Sequence, residues 1–171
     1  MTETVTTDQL YQTDSYLRVF DARVVSVDPE RHGVVLDRTA LYPGGGGQPA
    51  DHGTLAWNGT TASVTGSKRD GTAIVHLLDP EASLPEAGTE VHGEIDWNRR
   101  YALMRMHTAL HILCGVVFSD YGALVTGGNM EPDHARMDFE MDSADFTPER
   151  VAAQHWPAPA AGAHPAQAAA R

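Results

Sequence analysis

The chain has 171 residues and a mass of 18.4 kDa, room for one domain or two small subdomains sharing a core. Its 42% apolar and 20% charged content excludes wholesale disorder and fibrous repeats. Twelve basic against 23 acidic residues give a net charge of −11, which opposes non-specific affinity for nucleic acid and leaves only a local basic patch as a contact. The single cysteine, Cys114, excludes an internal disulfide and any four-cysteine metal site. No run of about 18 apolar residues is evident, and Met1 to Leu10 is polar and acidic. That pattern is neither a signal peptide nor an anchor, and the expectation is a cytoplasmic protein.

From Leu17 to about Ile95 the pattern is one of strands and turns. Val19, Val24, Val25 and Val27 precede Asp28-Pro29-Glu30-Arg31-His32-Gly33, and Val34, Val35 and Leu36 follow it, which predicts an antiparallel hairpin. Further strands are expected at Thr54 to Trp57, Thr61 to Thr65, Thr72 to Leu78 and Thr89 to Ile95, with Asn58-Gly59 and Lys68-Arg69-Asp70-Gly71 as turns. Short strands at this spacing favour a small barrel or sandwich. From Asp96 to Ser119 the pattern switches: Leu103, Met106, Leu110, Leu113 and Val117 recur at three and four, predicting an amphipathic helix with Asp96 as N-cap and Tyr121-Gly122 as its stop. A glycine-rich connection (Gly127, Gly128) then leads to a strand over His134 to Met141.

The predicted class is α+β: a β-rich, barrel-like subdomain over 1–90, a partial core of long helix plus strand over 91–150, and an Ala/Pro-rich tail over 151–171, expected to be disordered. Thr147-Pro148-Glu149-Arg150 has the layout of a helix start. It opens into ten alanines and three prolines with no acidic residue. Two readings stand: a chain diverted or truncated from its expected continuation, and a flexible tail.

Two features carry chemistry. Arg105-Met-His107-Thr-Ala-Leu-His111 puts two histidines four apart, on one helix face and close enough to ligate one metal ion; a surface or packed pair is the other reading. Thr108 follows His107 where a His-Glu-x-x-His metalloprotease has its base, which excludes that class. Cys114 lies seven residues beyond His107, about 10.5 Å along the helix, and reads as a small buried packing residue. The second feature is Thr39-Ala-Leu-Tyr42-Pro-Gly44-Gly45-Gly46-Gly47-Gln48-Pro-Ala-Asp51-His-Gly53. Its glycines let another molecule approach backbone N–H groups, while Thr39, Tyr42, Gln48 and Asp51 supply polar groups. It lacks the Lys-Ser/Thr of a P-loop and the context of a dinucleotide fingerprint.

Together, Thr-x-x-Tyr-Pro…Gly-Gly-Gln-x-x-Asp-x-Gly and the later Arg-x-x-His-x-x-x-His resemble the editing domain of alanyl-tRNA synthetase, especially the free-standing AlaX type. Gly127-Gly128 and Arg136-Met137-Asp138-Phe139 sit where that family has a glycine and an Arg-Phe-Asp-Phe-like strand. The resemblance runs over roughly residues 17 to 150. It implies a β-rich subdomain on an α+β editing core, and hydrolysis of the ester joining serine or glycine to alanine tRNA. It implies one zinc ion, with His107 and His111 matching two ligands, and a catalytic role for Thr39 and Gln48. Tyr42, Gly46, Gly47, Asp51 and Arg136 are then expected to face the substrate. The acceptor end of tRNA(Ala) is the implied partner, with Arg99, Arg100 and Arg105, joined by Lys68-Arg69, as a modest phosphate patch.

The chain departs from the family in having no cysteine after Cys114, so no later Cys-x-x-x-His completes the metal site. His134 is expected beside Asp133 in solvent, and His155 and His164 lie in proline-broken sequence. Two alternatives follow: a non-catalytic remnant, and a metal- or nucleic-acid-binding module. Loss of C-terminal elements would also uncover the apolar face of the helix, so self-association is expected.

Overall fold

The computed structural model describes residues 5–141 together with Thr147 and Glu149. The Ala/Pro-rich tail, His155 and His164 lie outside the described residues, as does most of the helix expected after Thr147. In chain order the elements are β1 (Asp8–Gln9), a 3-10 turn (Leu10–Gln12), β2 (Val19–Asp28), β3 (Gly33–Leu36), β4 (Arg38–Thr39), β5 (Gly53–Trp57) and β6 (Thr60–Asp70). They continue with β7 (Ala73–Leu78), β8 (Glu90–Ile95), α1 (Trp97–Tyr121), β9 (Leu124–Met130) and β10 (Ala135–Glu140). The architecture is α+β.

Six strands close a barrel in the order β2-β3-β7-β6-β5-β8, every neighbouring pair antiparallel. Alternation explains the closure. Phe20, Ala22 and Val24 of β2, Leu55 and Trp57 of β5, Ala62 and Val64 of β6, and Val91 and Ile95 of β8 are buried, with exposed or half-buried residues between most of them. The predicted hairpin forms, its two strands joined across Asp28 and Gly33. Strand β6 corrects one expectation: it runs on to Asp70, because a register shift between Val64 and Gly66 carries the ladder forward to pair Lys68 with Val75 and Arg69 with Ile74. Lys68 and Arg69 are therefore strand residues, and the Arg69 guanidinium donates to Gln9 Oε1 and the Tyr11 hydroxyl. The pairing of β1 with β4 was invisible in sequence, two polar residues on each side being too few to show a period.

The barrel buries a polar pair that no sequence feature announced, Ser67 of β6 and His76 of β7. His76 on β7 is fully buried, its Nδ1 2.8 Å from Ser67 Oγ, and its Nε2 has no hydrogen-bond partner. Burial pushes its pKa down to about 4.

Helix α1 begins and ends where its capping residues dictate. The Asp96 carboxylate accepts from Arg99 N–H, and Gly122 stops the helix with a left-handed φ of 66° that a residue with a Cβ adopts only at a cost. A buried ion pair ties the helix to the barrel. Arg100 Nε donates to both carboxylate oxygens of Asp51 at 2.9 and 3.0 Å, and Nη2 contacts Asp51 Oδ2 as well. The remaining donors reach the backbone oxygens of Ser15 at 3.0 Å and Ala40 at 2.6 Å. Asp51 Oδ2 also accepts from Tyr42 N–H at 2.7 Å, so one carboxylate anchors both the helix and the loop before it.

Beyond this anchor the helix is sparsely covered. Only Leu103 and Val117 of its apolar stripe are buried, whereas Ile112 and Leu113 are exposed and Phe118 is 58% exposed. Cys114, expected to be buried, is only half-buried for the same reason. The helix is 25 residues long and contains an 18-residue window of mean hydropathy 1.3, so by length and composition alone it reaches the threshold of a membrane span, which the chain-wide reading had excluded. The segment expected as a glycine-rich connection is strand β9. Gly127 and Gly128 pair with Asp138 and Met137 of β10, and that two-stranded sheet rests on α1.

Two stability predictions follow from the buried groups. Below the unfolded histidine pKa of 6.5 the unfolded chain takes up a proton that folded His76 refuses until about pH 4. Stability should therefore fall by roughly 3 kcal/mol between pH 6.5 and 4. Urea unfolding across that range should show a shallower acid limb in His76→Leu; an unchanged slope would contradict this account. Asp51→Ala, which leaves Arg100 buried without its partner, should cost roughly 3–5 kcal/mol in the same assay. Asp51→Leu combined with Arg100→Met should recover most of that loss.

Candidate active site

The glycine tract folds back on itself as a tight turn. Gly45 N–H donates to Gln48 O at 2.9 Å and Gln48 N–H returns to Gly45 O at 3.0 Å, leaving Gly46 and Gly47 exposed at the tip. Gly44, Gly45, Gly46 and Gly47 all have positive φ. At Gly47 (φ 83°) a Cβ would lie 2.5 Å from Gly128 O, so only glycine lets the turn close against β9. Met130 N–H completes that docking by donating to Gly47 O at 2.9 Å.

Docking the turn on β9 places Gln48 over the helix. Gln48 Oε1 lies 2.8 Å from His107 Nδ1, and His107 Nε2 lies 2.9 Å from His111 Nε2. The two rings are near parallel, their centroids 4.8 Å apart. The Gln48 amide oxygen can only accept, so this contact favours the His107 tautomer with hydrogen on Nδ1 and the lone pair on Nε2 toward His111, the arrangement an outer residue uses to orient a metal-ligating histidine. Partial burial, and then the neighbouring His111, hold the His107 pKa below the ordinary histidine value. Both effects favour the neutral imidazole that binds metal. The donors fit two positions of a zinc site, and no group of three or more His, Cys, Asp or Glu stands together among the described residues.

Beside this pair opens a cleft of about 370 Å³, lined by Gly46 and Gly47, by Leu110 of α1, by Val125 to Met130 of β9 and by Met137. The glycine turn, the imidazole pair and the cleft thus share one side of the molecule, although residues 48 and 107 are 59 positions apart.

Other expected site residues lie elsewhere. Asp51 and Arg100 are corrections: each is buried in the ion pair with the other, so neither carboxylate nor guanidinium is available to a substrate or a phosphate. Thr39 is fully buried and its hydroxyl accepts from Leu41 N–H at 3.1 Å. Tyr42 turns its hydroxyl to Gly45 O at 3.3 Å and stacks edge-on against Tyr11. Arg136 on β10 is exposed and bonded to Asp138 at 3.1 Å. Arg99 is half-buried, its guanidinium 3.5 Å from Ala50 O and 3.9 Å from Glu131, and Arg105 is exposed with no ion-pair partner among the described residues. His134 stands beside Asp133 at 2.7 Å, as expected. The backbone of β9 that receives Gly47 was missed; its signal, Gly127-Gly128, had been read as a linker.

A family model described as tRNA synthetases class II (A) matches residues 12–99. The alanyl-tRNA editing protein AlaX-M of Saccharolobus solfataricus is 44% identical over 147 residues, 85% of this chain and 61% of that protein. AlaX-M of Methanosarcina mazei is 39% identical over 145 residues, covering 81% of this chain and 57% of that protein. The alanine–tRNA ligase of Pyrobaculum neutrophilum is 43% identical over 145 residues, 85% of this chain and 15% of the ligase. The chain therefore spans less than two thirds of the curated relatives it matches, and it belongs to the alanyl-tRNA synthetase editing-domain family.

Proposed function

We propose that the chain is an alanyl-tRNA editing hydrolase acting in the cytoplasm, cleaving the ester that joins serine or glycine to the 3′ end of tRNA(Ala). The observation that supports it most is the meeting of Gln48, His107 and His111 beside a glycine-walled cleft. Zinc would be held by His107 and His111, and when bound it supplies polarisation of a water molecule or carbonyl. Gln48 keeps the His107 proton on Nδ1 and so presents the Nε2 lone pair. Gly46 and Gly47 line the cleft without side chains, so their N–H groups would be open to close approach by the aminoacyl group. Thr39, closed to solvent, acts as a positioning residue: by accepting from Leu41 N–H it holds the bend that leads from β4 into the glycine turn. Water adds to the ester carbonyl, the ribose oxygen leaves with a proton, and free amino acid and tRNA are the products. Discrimination of serine from alanine rests on polar groups that alanine would leave unpaired.

Deacylation of Ser-tRNA(Ala) by the purified chain with added zinc tests this reading. His107→Ala should lose at least about 100-fold in rate, and Gln48→Ala should weaken zinc binding by about 10- to 100-fold. No zinc-dependent deacylation by the unaltered chain would support the alternative, a non-catalytic remnant or binding module.

We also propose that a second copy of the chain covers the bare face. Leu124 (57% exposed) lies on β9, which pairs only with β10 among the described residues, and Phe118 near the end of α1 is exposed as well. An open strand edge flanked by apolar side chains favours strand-to-strand association. Sedimentation should show concentration-dependent dimers that Phe118→Lys and Leu124→Lys shift to monomer; a monomer at every concentration would refute this.

A further inference from the structure

An aromatic cluster at the start of α1, outside the cleft, has no part in the chemistry above. Trp97 and Tyr101, one turn apart, stack with centroids 5.8 Å apart and planes 22° from parallel. Tyr16 leans on Trp97 at 5.6 Å, and the Arg18 guanidinium sits 4.3 Å from the Trp97 ring centroid. The inner rings are half-buried, whereas Arg18 is exposed and Tyr16 is 45% exposed. Three rings and a guanidinium stacked at a surface are more than core packing requires. Arg18 has no ion-pair partner among the described residues, and the nearby carboxylates are engaged locally, Asp14 by Tyr16 N–H and Asp96 by Arg99 N–H.

We propose that Tyr16, Arg18, Trp97 and Tyr101 form a stacking platform for the unpaired nucleotides at the 3′ end of an RNA. This inference rests on the hydrolase reading for the identity of that RNA. Aromatic and guanidinium planes bind successive bases with little sequence preference, which suits a strand end common to all substrates. The placement along the helix agrees. Trp97 and His111 are fourteen residues apart, close to four full turns, so they share a face. From Trp97 to His107 the helix rises about 15 Å, the span of roughly four or five stacked nucleotides. Arg105, exposed one turn beyond Tyr101, continues the platform's side of the helix away from the imidazole pair, so the strand's route to the cleft does not depend on it. The platform holds the strand, and the aminoacyl group at its end reaches the cleft.

The test is fluorescence anisotropy of a labelled single-stranded RNA ending in CCA with the intact chain, alongside steady-state deacylation. Tyr16→Ala and Arg18→Gln alter exposed side chains, and their melting temperatures report whether the fold is kept. Each should weaken RNA binding by about ten-fold, and each should raise KM for mischarged tRNA while leaving kcat unchanged. Unaltered RNA affinity in both variants, or a loss confined to Arg18→Gln as simple charge attraction predicts, would overturn the platform even if deacylation persists. Loss of RNA affinity in both variants of a chain that deacylates nothing would keep the platform and remove the hydrolase reading.

Discussion

The placement of the candidate site rests on one buried contact, between the Arg100 guanidinium and the Asp51 carboxylate. Arg100 lies in the first turn of α1, and Asp51 lies at the end of the loop that carries the glycine tract. The remaining oxygen atoms that Arg100 reaches belong to the N-terminal segment and to the backbone after β4. One side chain therefore registers three stretches of chain against the helix. A charged pair this deep is costly to desolvate, and it is tolerated because each of the three guanidinium nitrogens finds an acceptor. About two turns further along the same helix, that registration brings Gln48 to His107.

The glycine turn supplies the second constraint. Its positive φ values carry the chain round without side chains, and its tip closes on the backbone of β9 so tightly that a single methyl group would collide. The turn is therefore fixed at both ends: by Asp51 and Tyr42 at its base, and by Gly128 and Met130 at its tip. A turn fixed at both ends is pre-organised, so a bound molecule would not have to order it. It also brings the glycines of the turn, Gly46 and Gly47, against those of β9, Gly127 and Gly128, along the cleft wall.

The barrel and the helix contrast in how well they are covered. The barrel buries a closed core and accommodates a neutral histidine in it, whereas the second half of α1 and the outer strand β9 leave Ile112, Phe118, Leu124 and Val125 open. The N-terminal end of the helix, by comparison, is clad by aromatic rings and a guanidinium. The two ends thus present different chemistry: an apolar surface at one, and a cationic aromatic surface at the other.

Much of this was legible in the linear chain. Alternation along β2, β5 and β8, the turn chemistry at Asp28 to Gly33, and the caps at Asp96 and Gly122 are local effects that nearest neighbours decide. The spacing of His107 and His111 places them on one helix face wherever that helix lies. The roles of Asp51 and Arg100 could not be read, because a polar residue in a motif looks the same whether it meets a ligand or an internal partner. Gly127-Gly128 was misread because glycine marks both a loop and a strand that another backbone must approach closely. Long-range pairing decided these cases: burial and partner identity depend on residues some fifty positions away, and local chain chemistry carries no record of that distance.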